Sequence, residues 1–120
     1  ARALDLALIP WGVLGGGALT GKYSRQGDEP RREDSVSAAY LAAGEAVARV
    51  AAEVGCTPAQ AALAWVRQQP GLVIPLLGCR TLAQLEDNLG CLEVVLPAPP
   101  REALDSVADF TPGFPTSFLH

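Results

Sequence analysis

The spacing of apolar residues changes along this chain, and each change predicts a different element. Residues 4–9, ending in the run Leu-Ala-Leu-Ile and stopped by Pro10, are apolar but too few for a lone helix. They predict a strand buried on both faces. Residues 12–35 form a long connection, glycine-rich at first and charged later. Over 37–54 the chain is alanine-rich, with Val47, Val50, Ala51 and Val54 at spacings of three and four, which predicts a helix with one apolar stripe for packing on a sheet. Gly55 supplies its stop.

The next helix opens at Thr57-Pro58-Ala59-Gln60, where Thr57 can cap, Pro58 sits in the first turn and Gln60 completes a reciprocal capping box. It is expected to run to about Gln68. Leu72, Val73, Ile74, Leu76 and Leu77 give a second apolar run, read as a buried strand finishing near Pro75. Thr81 to Gln84 repeats the capping pattern, and Leu82, Leu85 and Leu89 supply the expected buried side of a helix ended by Gly90. A last short helix is expected from Pro99 or Pro100 to Asp109, followed by a tail too rich in proline and glycine for regular structure. The order strand, helix, strand, helix gives an α/β chain, divided at 1–36, 37–69, 70–96 and 97–120 within a single domain.

Length and composition narrow the function classes. The 120 residues are 49% hydrophobic with no apolar run able to span a bilayer, so a soluble protein without a membrane partner is expected. A net charge of −4, with no basic cluster interleaved with aromatics, argues against nucleic acid. Cys56, Cys79 and Cys91 lack the paired spacing of a zinc site, and the one histidine is the final residue. Ordinary reduced cysteines in a reducing, cytoplasmic compartment are therefore expected. The first residues carry neither a secretory signal nor an initiator methionine, which would suit an internal cut.

Gly16, four residues, Gly21 and Lys22 come within one residue of a nucleoside triphosphate loop. Tyr23 stands where a Ser or Thr hydroxyl would meet magnesium, and the residues after Lys22 are polar and proline-containing instead of opening a helix. Such loops hold phosphate with amides at a helix start, so triphosphate hydrolysis is not expected. A glycine-rich crossing near a diphosphate and simple close packing both remain open on spacing alone.

Two linked stretches carry a more specific pattern: residues 6–23, with Pro10-Trp11 and the Gly15-Gly16-Gly17 run, and residues 55–92, from Gly-Cys-Thr-Pro-Ala-Gln to Asp-Asn-Leu-Gly-Cys-Leu. Together with the Gly-Phe-Pro near the end, they resemble the C-terminal part of the aldo-keto reductases, and within them the fungal aryl-alcohol-dehydrogenase-like group. The resemblance implies strands 7 and 8, with their helices, of a TIM (β/α)8 barrel. It also implies an NADP (NADPH) site in which Trp11 lies against the nicotinamide and Gly12, Val13, Leu14, Gly15 and Gly16 line the nicotinamide and diphosphate side. Lys22 and Arg32 would face the phosphates. Gly78, Arg80 and Gln84 would hold the adenosine and its extra phosphate, with Asp87 and Asn88 toward the adenine.

Residue chemistry is compatible with those roles. An indole can cover a flat nicotinamide, and glycines permit close approach of a bulky dinucleotide. Arg80 precedes a capped helix, so a 2′-phosphate would meet a guanidinium and free amides, although a solvent-facing loop arginine is the plain alternative. Gln84 and Asn88 share a helix face, and Gln84 has a competing capping duty. Asp87 is shorter than the glutamate usual in the family, and Gly78 replaces a lysine of many members, which leaves Arg80 as the main basis for preferring NADP over NAD. The family's catalytic Asp, Tyr, Lys and His segments have no match here, so no catalytic residue is assigned. Two functions follow: the cofactor-binding region of an NADP-dependent oxidoreductase acting on a small carbonyl or aryl-alcohol substrate, or a truncated, non-catalytic dinucleotide-binding or oligomerising protein derived from one. Open sheet edges in a quarter-barrel predict a homo-oligomer for the second.

Overall fold

The computed structural model describes residues 1–21 and 38–107. Four helices make up about half of it: α1 (Ala38–Val54), α2 (Pro58–Arg67), α3 (Leu82–Leu89) and α4 (Ala98–Val107). Short 3-10 turns form at Arg2–Leu4, Gly15–Thr20 and Gly90–Leu92.

The helices form where the chain's local chemistry favours them. Gly55 takes a φ of 81°, a left-handed conformation that releases the chain from α1 at little cost for glycine. At α2 the capping box is complete: the Gln60 amide donates to Thr57 Oγ1 (3.2 Å) and the Thr57 amide donates to Gln60 Oε1 (3.1 Å). At α3 only half of the expected box forms. The Gln84 amide donates to Thr81 Oγ1 (3.2 Å), while Gln84 Oε1 accepts from the Arg80 amide (2.9 Å) instead of that of Thr81.

The stripe on α1 is buried as its spacing requires, with Val47, Val50 and Ala51 in the main core and Val54 packed beside it. What it packs against is helical: α1 lies on α2, α4 and the Gly15–Thr20 turn, and Ala61, Ala62, Ala64, Leu96 and Leu104 complete the cluster. Gly44 permits one of these approaches, since a Cβ there would stand 2.8 Å from the Ala18 carbonyl oxygen. Small residues at such crossings let backbones come close.

The two expected strands are found only in outline. Leu8 and Val73 form an isolated parallel bridge. Around it the Leu8 amide donates to the Leu72 carbonyl (2.9 Å), the Ile74 amide to the Leu8 carbonyl (2.8 Å), and the Leu76 amide to the Pro10 carbonyl (2.9 Å). A parallel ladder would continue with an N–H of residue 10 donating to Ile74, and proline has none. This is why a pair of extended segments does not become a regular two-stranded ladder. Leu4, expected to open the first strand, instead closes a 3-10 turn, with Asp5 beyond it at a φ of 53°.

Burial also departs from the expectation. Leu6, Leu8, Ile9, Leu72, Ile74 and Leu76 are exposed, and so are Leu82, Leu85 and Leu89 on α3. The side of α3 that packs inward is instead that of Asp87 and Asn88, and among the described residues no layer covers the leucines.

Candidate functional site

The parallel direction of the two segments puts their carboxyl ends side by side. One runs through Pro10 into Trp11 and the glycine-rich turn; the other runs through Leu76 into Gly78, Arg80 and the start of α3. In parallel α/β architectures this end collects ligand-binding loops.

On the first loop, Val13 and Leu14 face the helical core: Val13 lines an apolar pocket and Leu14 packs on the main cluster. Their inward anchorage turns the other side of the loop outward. Trp11 is 84% exposed, and Gly12 and Gly16 have nothing near the position a Cβ would take. Both have positive φ, 66° and 63°, where a side chain would be strained as well as obstructive. Gly15 lies beneath the Tyr40 ring, 3.2 Å from its would-be Cβ. The loop thus offers one flat aromatic surface and bare backbone, an open cradle of the kind a dinucleotide can approach. Lys22 and Arg32 lie outside the described residues.

On the second loop, Gly78 and Arg80 are exposed. Gln84 and Asn88 do share a face of α3, and that face looks back at the loop. Gln84 Oε1 accepts from the Arg80 amide, and Asn88 Nδ2 donates to Cys79 Sγ (3.3 Å). Asn88 is only 6% exposed, so its amide holds the loop from inside. Asp87 points away, toward α2: its Oδ2 accepts from Thr57 Oγ1 (3.2 Å) and its Oδ1 from Gln60 Nε2 (3.1 Å), while its backbone carbonyl accepts from Gln60 Nε2 (2.8 Å).

Three structural residues escaped the sequence reading. Trp65 Nε1 donates to Asp105 Oδ1 (2.7 Å), tying α2 to α4. Arg67 donates to the carbonyls of Cys91, Leu92 and Val94. Gln68 donates to the Val94 carbonyl (3.0 Å) and accepts from the Leu96 amide (3.1 Å). Nothing in linear spacing marks them, because their partners lie more than twenty residues later, on α4 for Trp65 and on the segment before it for Arg67 and Gln68.

All three cysteines are free. Burial, and then the Asp87 carboxylate, push the Cys56 thiol up. Burial also raises Cys91, with Arg67 pulling partly the other way. Thiols held in the neutral form are poor nucleophiles. The apolar pocket, about 100 Å³, is walled by Val13, Leu19, Val47, Trp65 and Leu104 among others, and is a packing gap rather than a place for polar chemistry. Among the described residues no group of three His, Cys, Asp or Glu side chains could hold a metal ion, and no helix is long and apolar enough to cross a membrane.

A family model for the aldo/keto reductase family matches residues 1–109. The chain belongs to the aldo/keto reductase family. Relatives carrying the aryl-alcohol dehydrogenase name in Saccharomyces cerevisiae include one 33% identical over 99% of this chain and 84% of its own length. A second from the same yeast is 34% identical over 99% of this chain, but only 39% of its own length is matched. A norsolorinic acid reductase of Emericella nidulans is 32% identical over 95% of this chain and 30% of its own length. The chain thus spans well under half of the latter two relatives.

Proposed function

We propose that this chain is the cofactor-binding C-terminal region of an NADP-dependent oxidoreductase that reduces aldehydes or ketones, or oxidises aryl alcohols, within a TIM-barrel framework. The observation that carries the reading is the Leu8–Val73 parallel pairing, which brings the Trp11–Gly16 loop and the Gly78–Arg80 loop to one end of neighbouring segments. Family membership and the names of the relatives support the reaction class.

In this reading the Trp11 indole forms a wall for the nicotinamide and keeps water off it, and Gly12 and Gly16 let the diphosphate approach the backbone while Gly15 makes room for the Tyr40 ring beside them. Arg80 offers a charge-assisted contact to the 2′-phosphate, helped by the amides at the start of α3. NADPH, when bound, supplies a hydride to a carbonyl carbon. No residue of this chain is assigned as the proton donor.

Fluorescence titration of the full chain with NADPH and NADH tests the proposal, with Trp65 replaced by phenylalanine to remove its emission. Arg80→Ala should weaken NADPH more than NADH, and Trp11→Ala, followed calorimetrically, should weaken both alike. A folded chain with no saturable response up to millimolar cofactor would refute the binding role.

A second reading is favoured by the exposure of Leu6, Leu8, Ile74 and Leu76. In it the chain is a non-catalytic dinucleotide-binding or oligomerising protein, and its apolar segments are covered by another copy. Sedimentation showing a compact monomer at low concentration would remove this version.

A further inference from the structure

We infer that Gln60 is a positioning residue for the cofactor site: from α2 it fixes the height and rotation of α3 through Asp87, and so sets where Arg80 stands. The inference rests on the proposed NADP-binding role and deepens it by naming what determines the phosphate-end geometry.

The connection is continuous in hydrogen bonds. Gln60 divides its amide between two duties, with Oε1 closing the capping box on the Thr57 amide and Nε2 reaching across to Asp87. Thr57 is divided in the same way: its hydroxyl oxygen accepts from the Gln60 amide while its hydrogen goes to Asp87 Oδ2. The helix start that orders α2 is thereby also the socket that receives α3. On α3, one residue beyond Asp87, Asn88 grips Cys79, and one turn earlier Gln84 grips the Arg80 amide. A displacement of Asp87 relative to α2 must therefore be carried to residues 79–80.

Gly90 gives independent geometric support. Its φ of −56° is ordinary helical backbone that any residue adopts, so conformational freedom does not explain a glycine there. Its would-be Cβ overlaps the Gln60 side-chain amide, with Nε2 as the nearest atom. The glycine leaves room for Gln60 to reach Asp87. Neither Gln60 nor Gly90 belongs to the proposed cofactor contacts, so both can be altered without removing one.

The test compares NADPH and NADH dissociation constants of the full chain, as wild type, Gly90→Ala and Gln60→Ala, each with and without Arg80→Ala. Hydrogen exchange of the α3 amides is followed in parallel. Displacing α3 is expected to weaken NADPH about fivefold to tenfold and NADH less, and to add nothing once Arg80 is already alanine, the non-additivity of groups acting through one contact. Exchange in α3 should accelerate while that of α1 stays unchanged. Gln60→Glu keeps the acceptor that closes the capping box on the Thr57 amide but has no donor for Asp87, so it should weaken NADPH as Gln60→Ala does; it carries the comparison if Gly90→Ala does not fold. If wild type binds both cofactors and the variants leave the NADPH to NADH ratio unchanged, Gln60 is only a structural tie and the positioning role is overturned. If wild type binds neither, the NADP-binding reading itself falls and the positioning role falls with it.

Discussion

Leu8 and Val73 face each other across a parallel bridge in which the Leu8 backbone exchanges hydrogen bonds with residues 72 and 74. Alternate amides of each segment therefore point inward, and the rest point to the outer edges. Backbone hydrogen exchange followed by NMR should show slow exchange at Leu8, Ile74 and Leu76 and fast exchange at Ala7, Ile9 and Val73. Equal protection of both sets would mean that another strand covers the edges.

Gly44 separates two competing effects of one methyl group. In a helix interior, glycine to alanine ordinarily stabilises by about 1 kcal/mol. Here the new Cβ would press on the Ala18 carbonyl oxygen, a backbone atom held by its own turn. Gly44→Ala is expected to destabilise the fold by about 1–3 kcal/mol, the usual cost of overpacking. Urea denaturation with an unchanged slope would measure it, and a gain in stability would show that the turn yields.

Gln68 is a two-sided clamp on the connector before α4. In Gln68→Ala the Leu96 amide loses its acceptor beside a buried side chain, and the Val94 carbonyl loses one of its donors. A loss of about 1–3 kcal/mol is expected for an unsatisfied group of this kind. Gln69→Ala serves as the control, since its side chain only returns to the Trp65 carbonyl within its own helix end.

The raised thiols of Cys56 and Cys91 fix the sign of an alkaline effect. Both favour the protonated form in the folded chain more than in the unfolded one. Their contribution to stability is therefore complete below the ordinary thiol pKa and is lost as pH rises through the raised folded values. Stability measured from neutral to alkaline pH should decline, and Cys91→Ala should flatten part of that decline. Asp87→Asn should lower the Cys56 pKa and speed its alkylation, because the carboxylate is one of the two causes of its elevation. An unchanged alkylation rate would contradict that electrostatic link.

Local chemistry made parts of this structure legible in the sequence. The Thr57–Gln60 box, the Gly55 stop and the α1 stripe depend on neighbours within a few residues, and all three were found as expected. The two extended segments were located by their apolar runs, while the effect of Pro10 on their ladder needed the partner's register to be seen. Leu82, Leu85 and Leu89 illustrate a different limit: periodicity identifies an apolar face without saying what covers it, and Leu82 is 69% exposed. Gly44, Gly90, Asp87 and Gln68 owe their roles to atoms distant in sequence, so no linear pattern could mark them. For the candidate site, the sequence singled out Arg80, Gln84 and Asn88; that the last two hold the loop bearing the first required three dimensions.

The helix links and the parallel bridge also differ in how far the chain must travel to form them. Thr57 and Gln60 meet Asp87 across thirty residues or fewer, whereas Leu8 meets Val73 only after the whole of α1 and α2 has intervened. Loop-closure entropy favours the shorter connection first. In a refolding experiment the α2–α3 socket is then an early event and the pairing of the extended segments a late one, so the loop bearing Trp11 and the loop bearing Arg80 come to the same end of the paired segments only after that socket has formed.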